Sequence, residues 1–301
     1  MNRRQVLMAG GALAAVPLFW SISSRDRAVG SEVKGQLRRL TEPGAGDNRA
    51  SFMPDGNTIL FASMRSGKSQ IWATGLSGGR AWQFHQSAMN DFGRVSPNAD
   101  GSRICFSSDR SGNNAIYVLD LKSGATTPVS DPAFWSFGPS WSSRDVIAYF
   151  SKKGGNVTNI WTVHPDGSDP KQLTDLPGAC RQPWWSPDGG ALALCSDQGS
   201  GTTSALWIVT HHGQDARIIT FHGSYQQPYW SPDGQRIAVS ARIDEPHYRI
   251  YIVSADGSNP RPIQQPLGID NVHPAWSSDG SHIAFTSGEG ANGSIHVYDF
   301  I

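Results

Sequence analysis

The stretch Arg181-Gln182-Pro183-Trp184-Trp185-Ser186-Pro187-Asp188-Gly189 has relatives along most of this chain, and their spacing limits the fold more tightly than anything else in it. Two strong copies follow, Gln227-Pro228-Tyr229-Trp230-Ser231-Pro232-Asp233-Gly234 and His273-Pro274-Ala275-Trp276-Ser277-Ser278-Asp279-Gly280. A degraded copy precedes it, Gly138-Pro139-Ser140-Trp141-Ser142-Ser143-Arg144-Asp145. Two weaker copies stand nearer the start. One is Arg49-Ala50-Ser51-Phe52-Met53-Pro54-Asp55-Gly56; the other is Phe92-Gly93-Arg94-Val95-Ser96-Pro97, read with two residues inserted before Asp100-Gly101. With the tryptophan position as ruler, the marks fall at Phe52, Val95, Trp141, Trp185, Trp230 and Trp276, in steps of 43, 46, 44, 45 and 46. A fixed period in the forties with no helical pattern inside it predicts a propeller or a solenoid array.

Within each period the same strand signals recur. After the Asp-Gly comes an apolar run ending in Ser, as in Ile59-Leu60-Phe61-Ala62-Ser63 and Ile237-Ala238-Val239-Ser240. A second run of β-branched and aromatic residues follows, such as Ile116-Tyr117-Val118 or Leu206-Trp207-Ile208-Val209, which suits a buried pleated surface. A polar turn such as Pro165-Asp166-Gly167-Ser168 then leads to a short segment such as Lys171-Gln172-Leu173-Thr174. Each repeat therefore holds four strands, A to D, with the Trp-containing segment as A. The Pro-Asp-Gly after it reads as the A–B hairpin, Pro setting φ and Asp and Gly accepting positive φ. The last repeat ends at Ile301 just after its C strand, while Gly35-Gln36-Leu37-Arg38-Arg39-Leu40-Thr41 repeats the D pattern ahead of the first A strand. Pairing these two ends removes the open sheet edges. The expectation is an all-β, six-bladed propeller over residues 31–301, closed by its N-terminal strand and acting as a monomer.

The amino terminus has the layout of an export signal: Arg3-Arg4, then an apolar run from Ala9 to Trp20, then polar residues, with a cleavage point near Ala28-Val29-Gly30. The paired arginines with Leu7 resemble a twin-arginine leader; ordinary secretion and an uncleaved anchor are the other readings. Residues 1–30 contain four Arg and one Asp, so removing them leaves 21 basic and 24 acidic residues, a formal charge of −3. That disfavours a nucleic-acid partner. The expected location is periplasmic or secreted, with no stable membrane span once the leader is gone. Cys105, Cys180 and Cys195 show no CxxC spacing, and two readings stay open: packing in apolar strands, or a Cys180–Cys195 bridge within one blade.

With these motifs in place, the chain resembles the TolB-type six-bladed propeller from about residue 33 to the end. The specific matches are the recurring Trp-Ser-Pro-Asp-Gly, the loop Ser107-Ser108-Asp109-Arg110-Ser111-Gly112-Asn113 before Ile116-Tyr117, and Lys171-Gln172-Leu173-Thr174. The chain departs from the family's namesake in having no α/β domain between leader and propeller. The resemblance implies a fold, and propellers host binding and catalysis alike.

In such a propeller the A strands line the central channel, and the D–A and B–C loops open on one face. The residues at or just ahead of the A-strand starts are Asn48, Arg49, Asp91, Phe92, Trp135, Phe137, Arg181, Gln182, Gln226, Gln227, Asn271 and His273. These amides, arginines, acid, imidazole and aromatics can hydrogen-bond hydroxyls and carboxylates and stack on an apolar ring, as a protein or glycan ligand would need. An idle, water-filled polar channel is the plain alternative. The recurring Trp and Pro serve the blades, whereas Trp135, Arg181 and His273 are singular. Oligogalacturonate lyases share these repeats and use a His cluster on this face. Here only His273, with His222 in a neighbouring loop, offers such ligands, an incomplete metal set, and no cofactor is predicted. His211-His212 read as a C–D turn on the opposite face. If the protein were a lyase on acidic oligosaccharides, Arg49 or Arg181 would neutralise the uronate carboxylate and His273 or Tyr225 would serve as base. Serine-hydrolase chemistry is not expected.

Overall fold

The computed structural model describes residues 29–176, 178–197, 203–220 and 222–301. The leader assigned to residues 1–30 lies outside these except for Val29 and Gly30. Six antiparallel four-stranded sheets stand around a common axis. Blade one comprises β2 (Asn48–Phe52), β3 (Thr58–Ser63), β4 (Gln70–Gly75) and β5 (Trp82–Gln83), and blade two β6 (Asp91–Pro97), β7 (Arg103–Ser108), β8 (Ala115–Asp120) and β9 (Thr126–Pro128). Blade three is β10 (Ser136–Trp141), β11 (Ile147–Ser151), β12 (Asn159–Val163) and β13 (Lys171–Gln172); blade four is β14 (Cys180–Trp185), β15 (Ala191–Ser196), β16 (Ala205–Thr210) and β17 (Arg217–Ile218). Blade five is β18 (Ser224–Trp230), β19 (Arg236–Arg242), β20 (Arg249–Ser254) and β21 (Arg261–Pro262). Blade six takes β22 (Asn271–Trp276), β23 (His282–Ser287) and β24 (Ser294–Phe300) from the end of the chain and β1 (Gly35–Arg39) from its beginning.

That closure is a full ladder, with Gly35 opposite Phe300 and Arg39 opposite His296. Asp299 on β24 accepts from the Arg38 guanidinium (2.9 Å) and faces the His282 imidazole (2.7 Å). The Arg38 hydrogen bond holds the Asp299 carboxyl below the usual range. The chain just before β1 also runs along blade five: Val33 bridges Ile263, Gly30 N–H donates to Pro260 (2.9 Å), and Glu32 pairs with Arg249 (2.9 Å). The first described residues thus tie two blades rather than one.

Apolar side chains cluster between neighbouring blades and leave the axis hollow. Cys105, Ile116 and Val118 of blade two, for example, pack on Trp141, Ile147 and Tyr149 of blade three. The ruler tryptophans sit in these seams, with Trp276 only 2% exposed. Deep burial of such large rings is what holds one blade to the next, each worth several kcal/mol on truncation, roughly 3–5. The three cysteines are free and buried. Cys180 lies opposite Ser196 and Cys195 opposite Arg181, so the two point to opposite faces of blade four and join different seams. A bridge between them is therefore excluded by the pleat, and burial pushes the Cys195 thiol up to about 12.

Two expectations change in detail. In the A–B hairpin, positive φ belongs to the Gly alone, as at Gly189 (φ 65°), while Asp188 accepts the Gly190 N–H (2.9 Å) and the Ser186 hydroxyl (2.6 Å). Asp takes the left-handed conformation only in the degraded copy, where Asp145 (φ 57°) replaces the Gly and accepts the Trp141 indole N–H (2.8 Å). The second change concerns blade two. Pro97 pairs with Ile104 as Trp185 pairs with Leu192, so Pro97 and not Val95 is the ruler residue, and Asn98-Ala99-Asp100-Gly101 forms an ungapped hairpin. The steps from Phe52 to Pro97 and on to Trp141 become 45 and 44. The extra residue lies inside the A strand, at Arg94-Val95.

Candidate functional site

Every A strand breaks register with its B strand at one level, between Asn48 and Ser51, Phe92 and Ser96, Phe137 and Ser140, Arg181 and Trp184, Gln226 and Tyr229, and Val272 and Ala275. At each bulge one residue adopts the left-handed conformation: Arg49 (φ 57°), Gly93 (83°), Gly138 (61°), Gln182 (57°), Gln227 (55°) and His273 (59°). A bulge bends the strand and re-aims a side chain, here toward the axis. Gly is the residue that adopts this conformation freely, and an L-residue there costs about 1–2 kcal/mol. Four blades nevertheless carry Arg, Gln, Gln and His. In blade three Gly is required, because a Cβ on Gly138 would lie 2.6 Å from the Phe150 ring.

These side chains line one cavity of about 80 Å³, together with Arg94, Phe137, Phe150 and Trp184. Hydroxyls on preceding blades cap the freed backbone N–H groups: Thr286 accepts from Arg49 (3.0 Å), Ser107 from Gly138 (3.1 Å) and Ser240 from His273 (3.1 Å). Gln182 Oε1 accepts the Gln227 N–H (3.0 Å), which links blades four and five. Gln227 Oε1 accepts from the Ser240 hydroxyl (2.7 Å) and the His273 N–H (3.1 Å), so its amide nitrogen must face His273 Nε2 (3.1 Å) and donate to it. The His273 proton therefore sits on Nδ1, which is buried with no hydrogen-bond partner among the described residues. Burial first, and then the Arg49 and Arg94 charges, push the His273 pKa well below its usual value and keep the ring neutral.

Arg94, the product of the extra residue in blade two, closes the inner end. It is 8% exposed, donates to the Pro274 carbonyl (2.9 Å), and lies 5.1 Å and 5.3 Å from the ring centres of Trp184 and Tyr229, which stack on each other at 4.0 Å. Burial pushes its pKa down to about 10, with Tyr229 raising and Arg49 lowering it in smaller measure. Trp184 and Tyr229 also border a second cavity of about 260 Å³ at the A–B hairpin end, so this layer divides the channel. Arg49 lies 5.6 Å from the Phe137 ring centre, and its pKa is lowered by burial.

Of the residues singled out in the sequence, Arg49, Phe137, Gln182, Gln227 and His273 meet at this cavity. The others have different surroundings. Asn48 accepts from Arg49 (2.8 Å) and donates to Gly46. Asp91 is fully buried in an ion pair with Arg110 (2.7 Å), with His85 at 4.0 Å. Trp135 stacks on Phe137 (5.7 Å) from outside the cavity. Arg181 is half-exposed and reaches toward Asp197 (3.7 Å). Gln226 donates to the Tyr248 hydroxyl (2.8 Å), and Asn271 is buried, donating to Pro266 and Ile269. Tyr225 belongs to the seam between blades four and five and His222 to an exposed pair with Asp244, so neither joins His273 at the cavity. His211, bonded to Gly190 at 3.1 Å, lies by the A–B hairpins on the other face. Among the described residues no group of three or more His, Cys, Asp or Glu is placed to hold a metal ion. Arg94 was not singled out, because a ruler set on Val95 hides it; keeping the hairpin ungapped would have exposed it.

Comparison with known proteins bears on this architecture. The sequence profile of the TolB beta propeller domain matches residues 30–187 and 185–300. The chain belongs to that family. A relative named Tol-Pal system protein TolB, from Nitratidesulfovibrio vulgaris, is 24% identical over 144 residues, covering 48% of this chain and 32% of the relative. The match thus spans about a third of that protein's length. Among solved structures, TolB from Acinetobacter baumannii aligns with TM-score 0.62 at 17% identity, over 90% of this chain and 65% of the other. An oligogalacturonate lyase in complex with manganese aligns with TM-score 0.60 at 15% identity, over 89% and 94%. These structural likenesses show the shared fold of the TolB-type propeller. Among the described residues, no helix of this propeller is long and apolar enough to cross a membrane.

Proposed function

We propose that this TolB-type propeller is an exported binding module that holds a partner protein at the channel mouth opened by its D–A and B–C loops. The observation that carries the reading is the ring of bulges, where Arg49, Gln182, Gln227 and His273 occupy left-handed positions that Gly would take at lower cost. Backbone strain kept at one level, with dissimilar side chains all facing one cavity, is expected of a recognition site and not of a blade-forming repeat. A named Tol-Pal relative supports a role in an envelope assembly, and the leader-like first 30 residues support export to the periplasm or beyond. A cell-envelope glycan is the other ligand class such a polar, aromatic-walled mouth could accept.

The lyase reading has less support. His273 Nε2 is already engaged by Gln227, and Tyr225 sits in a blade seam, so neither stands as a free base beside Arg49. The binding reading is tested by capture from an envelope extract with matched variants. Arg181→Ala and Trp135→Ala at the mouth should lose a partner that wild type retains, while Asp166→Ala on the opposite face keeps it. Loss with Asp166→Ala alone would place the interface on the wrong side and sink the proposal. Peptidoglycan fragments and uronate oligosaccharides, assayed for binding and for unsaturated product, complete the comparison.

A further inference from the structure

Outside this cavity, the well-buried arginines among the described residues have acids. Arg65 pairs with Asp47, Arg110 with Asp91, and Arg249 with Glu245 and Glu32. Arg94 is more buried than these and has no carboxylate partner among the described residues, and neither does Arg49, which shares its cavity. Two guanidinium groups therefore face one small space without a counter-charge. An unpaired buried cation is costly, and its usual remedy is an anion. Among the described residues, Arg94 Nε and His273 Nδ1 are buried donors without acceptors, which adds two unfilled hydrogen bonds on the same side of the balance.

We infer that this cavity is a receptor for one carboxylate group carried on a short apolar stem. The inference rests on the proposed binding role of the channel face and names its ligand chemistry. Guanidinium forks match a carboxylate in plane and spacing, while the Phe137, Phe150 and Trp184 walls suit a hydrocarbon stem and offer nothing to a strongly hydrated phosphate. The cavity of about 80 Å³ has room for a carboxylate and a short stem. The positive lining excludes a metal cation. The carboxylate can arrive as a free small acid or on a peptide, through an acidic side chain or a free C-terminus.

Calorimetry and thermal shift on the full protein, at constant ionic strength, decide the matter with propionate, inorganic phosphate, an N-acetylated tripeptide ending in a free carboxylate, and its C-terminal amide. Propionate and the acid peptide should bind and raise the melting temperature, with phosphate and the amide at least tenfold weaker. Arg94→Met and Arg49→Gln should each cost the acids at least tenfold, whereas His211→Ala leaves them unchanged. Should Arg94→Met fail to fold, Arg49→Gln carries the test, because among the described residues its guanidinium is hydrogen-bonded to Asn48 alone. An acid peptide binding ten times more tightly than propionate assigns the carboxylate to a protein; equal affinities assign it to a free acid. Phosphate binding as well as propionate, or both arginine variants binding like wild type, overturns the inference. If the acids fail while mouth variants still lose a captured partner, the binding role stands and only the carboxylate falls.

Discussion

The two ends of the A strands follow opposite rules. At the hairpin end the repeat is faithful: Ser186, Ser231 and Ser277 each donate to the Asp two residues on, and the tryptophans fill equivalent seams. At the bulge level, four or five residues earlier in each strand, the side chains are Arg, Gly, Gly, Gln, Gln and His. The backbone repeats from blade to blade at both levels, save for the one extra residue in the bulge of blade two. What differs is whose requirement the side chain meets. A residue that serves its own blade must recur in every blade, while one facing the axis meets a single shared space and need not. The same division appears at the next channel position, where Ser51, Ser96 and Ser140 occupy blades one to three and Trp184 and Tyr229 narrow the channel from blades four and five.

If the frame carries stability and the bulge level carries recognition, damage to the two should read out differently. Deleting residues 31–42 removes β1 and the chain segment tied to blade five, and exposes the β24 edge. We expect loss of a single cooperative melt; a truncated protein melting like the intact one would contradict closure as the organising contact. Trp276→Ala should cost about 3–5 kcal/mol by urea unfolding, as a cavity in a seam, with carboxylate affinity per folded molecule unchanged.

A third test uses pH. His273 stays neutral in the folded protein, whereas in the unfolded chain it titrates near 6.5. Below that pH the unfolded state binds a proton that the folded state refuses, so stability is complete above about 6.5 and falls as pH drops, by up to about 1.4 kcal/mol per unit. His296, held down to about 4 chiefly by burial, adds a second such slope within the frame. The His85 pKa is lowered by burial as well, so His273→Gln should remove one of three such slopes between pH 6.5 and 5 and leave the others; an unchanged profile would show that His273 is not buried neutral.

Arg49→Gly should raise stability by about 1 kcal/mol, because it relieves a left-handed residue and a like-charge neighbour, while weakening propionate at least tenfold. Stability and binding moving together would mean that Arg49 belongs to the frame. His211→Ala, on the hairpin face, should shift unfolding by no more than about 0.5 kcal/mol and binding not at all.

Much of this was open to reading from the chain. Of the residues singled out as departures from the repeat, His273 meets Arg49, Gln182 and Gln227 at one cavity, while Trp135 and Arg181 stand outside it. Asp91, Asn271 and Tyr225 occupy neighbouring positions on the same strands and face elsewhere, into ion pairs, loops and seams. On a regular strand alternation would have separated these sets, but a bulge shifts the alternation by one residue, and a sequence does not display where that shift falls.

The chain by itself determined the number of blades, the hairpin chemistry and the borrowed closing strand, because turn residues and strand periodicity act over a few neighbours and are written again in each copy. Only the tertiary structure decided that the extra residue of blade two enters the channel as Arg94, that its guanidinium meets aromatic rings from blades four and five, and that no acid among the described residues answers it. Charge balance at a point is a sum over everything that folding brings there, and for Arg94 the nearest contributors, Trp184, Tyr229 and Pro274, stand 90 to 180 residues away along the chain.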